Sequence, residues 1–411
     1  MTVRIGVDAT SWTNRRGFGR FTRNVVPRLI EDDPASDFLL YIDAHTARDA
    51  DLPAGAETRV VQLAEAPSAA AAAGSTRRVS DLVRLAAAVR RDRLDAFLFP
   101  SVYTYFPVVG TPTVVGVHDA IVHELPHMTF GSRRDRLAWR MKEALALRTA
   151  AAIFTVSEAS RRALAERFGL DPATVAVVPE APDPVFYPRD ADAVRAARSS
   201  AELGPDEPFL VFAGGVSPHK NVETLVRAFS RLGDGPLRLV VVGDLTRDSY
   251  LSAAASVRRL VGELGLGERV LLPGFVDDAT LAALYSGATA VVIPSLAEGF
   301  GLPAVEGAAC GAPMVLSDLP AHRETLDGAA LFFEPTDADA LAATLDRLLA
   351  DGAAARSTAQ RGLERAAALS WDDAAVALSK VLAAVLDARG RRTGAARGTT
   401  PEQPTREQPT Q

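Results

Sequence analysis

Ala290-Val291-Val292-Ile293-Pro294-Ser295-Leu296-Ala297-Glu298-Gly299-Phe300-Gly301-Leu302-Pro303-Ala304-Val305-Glu306 reads as a strand, a glycine loop and the start of a helix. The unbroken apolar run suits a strand buried on both faces of a parallel sheet. Pro303 fits a first helical position, where its missing N–H costs nothing. The backbone amides of Gly299, Phe300, Gly301 and Leu302 then point out of the helix start and, with the helix dipole, suit an anion or a hydroxyl. Glu306 falls one turn inside, where a carboxylate can accept two hydrogen bonds from a vicinal diol such as a ribose. A solvated loop with a capping glutamate is the plainer reading. Glycines on both sides of Phe300, beside two carboxylates, favour a ligand that must approach bare backbone.

Outward from this stretch, short β-branched runs alternate with longer helical patterns, the signature of βαβ units. A first series comprises 4–7, 38–42, 96–99, 113–117 and 152–156, and a second comprises 209–212, 239–242, 270–272, 290–293, 314–316 and 330–333. The fold class is therefore α/β, with two Rossmann-like, doubly wound domains. Prolines concentrated in 182–188 and 203–208 mark the boundary. We read 1–185 as the first domain, 186–207 as a linker and 208–370 as the second domain. Residues 371–389 are expected to form a C-terminal helix beginning at Trp371. Residues 390–411 are almost free of apolar side chains and are expected to be disordered. The alanine run 69–73 is expected to be a mobile loop.

Composition narrows the function classes. The 411 residues carry a net charge of -6, which argues against nucleic acid as a partner. A single cysteine, Cys310, excludes a disulfide framework and fits a cytoplasmic protein. The N-terminus lacks a leader pattern, and no apolar run is long enough to span a bilayer.

The double-glutamate stretch resembles the signature of the retaining GT-B glycosyltransferases of family 4. Other segments agree: 212–221, with Gly214, Gly215, Lys220 and Asn221, is similar to the family's phosphate-binding turn. Val117-His118-Asp119 is similar to its histidine motif, while 155–160 and 178–183 fall where it has Val-Ser and Val-Pro-Asn-Gly segments. The resemblance implies two domains facing across a cleft, with the helix 371–389 packing back across them, the first domain binding an acceptor and the second a nucleotide sugar such as GDP-mannose or a UDP-hexose. It implies no cofactor and no metal. Lys220 and the amides of 299–302 would stabilise the leaving diphosphate, Glu298 would position the sugar, Glu306 would hold the ribose, and His118 would contact the transferred sugar. The chain departs from the family at Gly215, where an arginine often shares the diphosphate.

Lys220 stands out independently of the family. Lysines occur only at 142, 220 and 380 in a chain whose Lys and Arg total 45, so a lysine kept in a glycine-rich turn suggests a compact cation for phosphate oxygens. The segment 14–20 is read as a loop between the first strand and the first helix. Gly17, Gly19, Arg20 and Asp119 are candidate cleft residues, with a plain exposed loop as the alternative for 14–20. His118 alone reads as a structural hydrogen-bonder. The basic helix 132–148, with Leu137, Trp139 and Met141 among its arginines, is either a solvated face or a contact with the inner face of a membrane. Acceptor candidates are a glycan, a lipid-linked saccharide or a small metabolite. A non-catalytic subunit that binds nucleotide sugar is the alternative function. A GT-B epimerase would not be expected to carry the double-glutamate segment, and a phosphorylase would need a pyridoxal lysine.

Overall fold

The structure is a computed structural model describing residues 2–15, 17–64, 78–243 and 252–397. The alanine run 69–73 and the tail 398–411 lie outside the described residues. Two fully parallel sheets form. The first comprises β1 (Arg4–Asp8), β2 (Asp37–Asp43), β3 (Ala56–Val61), β4 (Ala96–Phe99), β5 (Thr113–Gly116), β6 (Ala152–Thr155) and β7 (Val175–Val177), in the order β3-β2-β1-β4-β5-β6-β7. The second comprises β8 (Phe209–Ala213), β9 (Arg238–Val242), β10 (Val270–Gly274), β11 (Ala290–Ile293), β12 (Met314–Ser317) and β13 (Leu331–Phe333), in the order β10-β9-β8-β11-β12-β13.

The central strands are wholly apolar because helices cover both faces; all residues of β4, β8 and β11 are buried. Each sheet reverses its winding once, between β1 and β4 and between β8 and β11, and ligands of open α/β sheets bind outside the carboxyl ends of such neighbours. Two strands escape the periodicity reading. β3 is a half-exposed edge strand, Ala-Glu-Thr-Arg-Val-Val, and β7 has only three residues.

Nine helices position the site and the domain contacts: α1 (Gly17–Asp32), α2 (Arg133–Thr149), α3 (Glu158–Phe168), α4 (Ala191–Ser200), α5 (Val222–Phe229), α6 (Asp278–Gly287), α7 (Leu302–Ala309), α8 (Pro320–Leu326) and α9 (Trp371–Arg397). Gly17 to Arg20 are the first turn of α1 rather than part of a loop. The close approach of Gly19 requires a glycine: a Cβ there would stand 2.0 Å from the Asn14 carbonyl oxygen.

The stretch 186–207 differs from a plain linker. It holds α4, capped by Asp190 and packed on α6, with Gly287 admitting Val194 where a Cβ would stand 2.5 Å from Val194 Cγ1. The Arg189 amide donates to Ser286 Oγ, and the Arg198 guanidinium donates to the Gly204 and Glu207 carbonyls. The prolines at 203–208 therefore end a helix of the second domain, and the chain crosses between domains nearer 182–188.

Helix α9 returns to the first domain, packing on α1, β4, β5 and β6. Trp371 is buried, donates from Nε1 to the Pro182 carbonyl at 3.1 Å and sets its ring edge to Phe21. Arg389 donates to the Leu94 and Asp95 carbonyls, both at 2.7 Å. The helix continues beyond 389 to Arg397 because a packed helix propagates at little cost per residue, even through polar sequence. Trp371→Ala should cost about 3–5 kcal/mol in denaturant unfolding, the range for losing a buried aromatic. A loss well under 1 kcal/mol would show that α9 does not hold the domains together.

Candidate active site

The pairing of β8 with β11, Leu210 against Ala290 and Val211 against Val291, sets the two ligand-type turns side by side. After β8 the chain passes Gly214, at φ 153°, and reaches Asn221 in the left-handed region at φ 56°. The Asn221 side chain is committed internally. Its amide donates to the Pro294 and Pro335 carbonyls and its oxygen accepts from Thr224. The side chain of Asn221, a candidate donor-binding residue, thus staples the two turns together. The Leu296 amide donating to the His219 carbonyl at 2.8 Å adds a second staple.

This junction delivers Lys220 to Glu298, Nζ to Oε1 at 2.6 Å, and Ser295 Oγ donates to the same oxygen at 2.6 Å. Burial would raise the Glu298 carboxyl, but the Lys220 charge, with the hydrogen bonds from Lys220 and Ser295, overcomes it and holds it down at about 2. Phe300 and Leu302 send their side chains into the core, so the loop between them offers only backbone. Gly301 adopts φ 91°, and a Cβ there would press on His322 Cδ2 at 2.9 Å. Both facts require glycine at 301.

The first domain closes on this loop. The Gly299 carbonyl accepts from Ser157 Oγ at 2.6 Å and Ser160 Oγ at 2.9 Å, and a Cβ on Gly299 would stand 2.4 Å from the His118 carbonyl oxygen. Glu324 from α8 accepts the Glu158 and Ala159 amides at the start of α3, each at 2.8 Å. Arg20, an expected cleft residue, is buried in a cross-domain cluster, where its guanidinium grips Glu306 on α7 and both oxygens of Asp278 on α6 at 2.9 Å. Burial pushes the Glu306 carboxyl up to about 8, with Asp278 and Asp183 adding to it against the pull of Arg20.

The His118 ring is likewise occupied. Nε2 donates to the Pro100 carbonyl at 2.8 Å, and Nδ1 stands 3.4 Å from Glu180 Oε1. Burial opposes its charge, yet Glu180 leaves its pKa raised. His118, expected to contact the transferred sugar, thus sits among the loops after β4, β5 and β7, with Nε2 committed to Pro100 and Nδ1 facing Glu180. Asp119 accepts from the Ile121 amide and is pushed by burial to about 6.

Sequence reading missed Glu180, Ser295, Asp278, His322 and Glu324, and gave Ser157 and Ser160 no role. Ser295 lies in the stretch 290–306, and the family-like segments 155–160 and 178–183 hold Ser157, Ser160 and Glu180; Asp278, His322 and Glu324 had no signal. Trp139 on α2 is buried against Tyr103, at 4.8 Å between ring centroids, so it is no part of an exposed face. Leu137, Met141 and Leu145 are exposed there. Among the described residues no cluster of three or more His, Cys, Asp or Glu could hold a metal, and none of the helices is long and apolar enough to cross a membrane. Of the three Asp-x-Asp stretches, 49–51, 190–192 and 337–339, the last two begin with the helix caps Asp190 and Asp337.

Two family models cover most of the chain, Glycosyltransferase Family 4 over residues 16–185 and Glycosyl transferases group 1 over residues 194–365. The chain belongs to the GT-B glycosyltransferases of this group 1, family 4 type. It is 33% identical over 250 residues to the D-inositol 3-phosphate glycosyltransferase of Nocardia farcinica, a match covering 59% of this chain and 55% of that protein. It is 28% identical over 272 residues to the O-antigen chain mannosyltransferase B of Escherichia coli, covering 66% and 69%. The chain thus spans about half the length of the inositol-phosphate relatives it matches. In fold it is similar to the sucrose-phosphate synthase from Thermosynechococcus elongatus, with a TM-score of 0.75 and 22% identity over 94% of this chain and 100% of that one. It is also similar to the Anabaena HepE protein solved with UDP and glucose, with a TM-score of 0.72 and 18% identity over 93% and 100%.

The raised Glu306 carboxyl carries a pH signature. The folded state holds a proton that the unfolded chain releases near 4.5, so this group's contribution to stability falls as pH rises from about 4.5 and levels off above about 8. Its slope is at most about 1.4 kcal/mol per pH unit. Glu306→Gln should flatten the decline in melting temperature between pH 6 and 8 relative to wild type. Parallel curves would refute a protonated Glu306.

Proposed function

We propose that the chain is a glycosyltransferase that moves a hexose-type sugar from a nucleoside-diphosphate sugar, such as GDP-mannose or a UDP-hexose, to an acceptor in the cleft, with retention and without metal. The observation that carries this reading is the Lys220–Glu298–Ser295 cluster beside the bare loop 299–302, at the carboxyl ends of β8 and β11 and facing the first domain. Lys220 and the loop amides stabilise charge growing on the leaving diphosphate. Lys220 and Ser295 both hold Glu298 Oε1, which leaves Oε2 for a sugar hydroxyl. Glu306 takes the ribose diol once Arg20 gives way. The acceptor is a glycan, a lipid-linked saccharide or a small metabolite bound by the first domain. On α2, Leu137, Met141 and Leu145 are exposed among Arg133, Arg134, Arg136, Arg140 and Arg148, a combination that suits peripheral contact with an anionic bilayer.

A thermal-shift panel of nucleotide sugars tests the donor class, since a ligand at 100 times its dissociation constant stabilises by about 2.7 kcal/mol. With the donor so found, Lys220→Ala should lower kcat on the order of 10², as removal of one preorganised donor does, in protein kept below the lowered melting temperature that an unpaired, buried Glu298 brings. Near wild-type turnover would overturn the role of Lys220. Transfer should persist in excess EDTA; loss restored by magnesium or manganese would overturn the metal-free reading.

A further inference from the structure

His322 is wholly buried on α8, and the reading above leaves it without a function. Its Nδ1 lies 2.9 Å from the Ser317 carbonyl oxygen. A carbonyl only accepts, so Nδ1 carries the proton and Nε2 of the neutral ring is a bare lone pair. Nε2 is buried and has no hydrogen-bond partner. The same ring edge packs on the glycine loop, where a Cβ on Gly301 would stand 2.9 Å from Cδ2 and 3.3 Å from Nε2. A buried, unpaired nitrogen beside a ligand-type loop calls for an explanation.

Charge balance supplies one. Lys220 and Glu298 neutralise each other, the Arg20 charge is matched by Asp278 with Glu306 beside it, and Gly215 brings no cation, whereas a nucleoside diphosphate is a multiply charged anion. The charged groups facing His322 are Glu298 from the glycine loop, Lys220 from the turn after β8, and Asp318 on its own turn, itself held by Arg323. Burial lowers the ring's pKa, Lys220 adds to this, and Glu298 and Asp318 oppose it. A diphosphate arriving at the loop would tip that balance toward the cation.

We propose that His322 is the second cation of the diphosphate site: neutral in the free enzyme, it takes one proton from solvent onto Nε2 when a nucleoside diphosphate seats against the loop, and donates the new N–H to a phosphate oxygen. The inference rests on the proposed donor site. Calorimetric titration of wild type and His322→Gln with UDP and with GDP, in two buffers of different ionisation enthalpy, measures the protons taken up. Wild type should take up close to one proton more per nucleotide than the variant. The difference cancels the titration of Glu306 and of the nucleotide's own phosphate. In wild type labelled with 15N-histidine, UDP or GDP should move one Nε2 signal from the bare-nitrogen to the N–H range, its Nδ1 staying protonated. This arm stands even if His322→Gln fails to fold. Nucleotide binding with equal uptake in the two proteins, or with an unmoved Nε2 signal, overturns the proposal. Failure of both nucleotides to bind instead overturns the donor site on which it rests.

Discussion

The adjacency of β8 and β11 is the constraint on which the site depends. Two parallel strands separated by some 80 residues pair at the point where the second sheet reverses its winding, and their carboxyl ends open into the same crevice. Lys220 and Glu298 meet for that reason and no local one. Asn221 then fastens the two turns, its left-handed backbone aiming one amide at carbonyls from both the β11 and β13 exits. Because the pair is largely buried, the attraction is strong enough to keep Glu298 ionised against its own desolvation.

Across the cleft the contacts are polar, and most use backbone. Ser157 and Ser160 hold the Gly299 carbonyl, Glu324 caps α3, and Arg20 bridges Asp278 and Glu306 of the second domain. Hydrogen bonds of this kind exchange readily with those of a ligand, whereas the apolar seam made by α9 does not. Trp371 and the buried Ala374, Ala375, Leu378, Leu382 and Val385 thus join the domains permanently, while the cleft face can be remade. Glu306 has two competitors for its oxygens, Arg20 in this structure and a ribose diol in the proposed donor complex.

Much of the fold was legible because buried parallel strands are apolar on both faces and interrupt the helical period plainly. β3 was not, since an edge strand needs only one apolar face, and α4 was not, since the prolines flanking it read as a linker, whereas its place is set by packing on α6. The glycine loop was legible from the cost of its residues: Gly301 requires both a positive φ and the space that His322 occupies. The role of Arg20 was only half visible. A guanidinium at a helix start looks fit for an anion, but the carboxylates that take it lie 258 and 286 residues away.

By itself the sequence determined two doubly wound α/β domains, the strand-loop-helix that carries Glu298 and Glu306, and a singular lysine in the matching turn, because those features are written in local period, glycine and composition. Tertiary structure alone decided that Lys220 pairs with Glu298, that His118 commits Nε2 to Pro100 and turns Nδ1 to Glu180, and that His322 turns a bare nitrogen to Gly301. The physical reason is the same in each case: a buried polar atom is satisfied by whichever strand end the topology brings beside it, and that neighbour is remote in the chain.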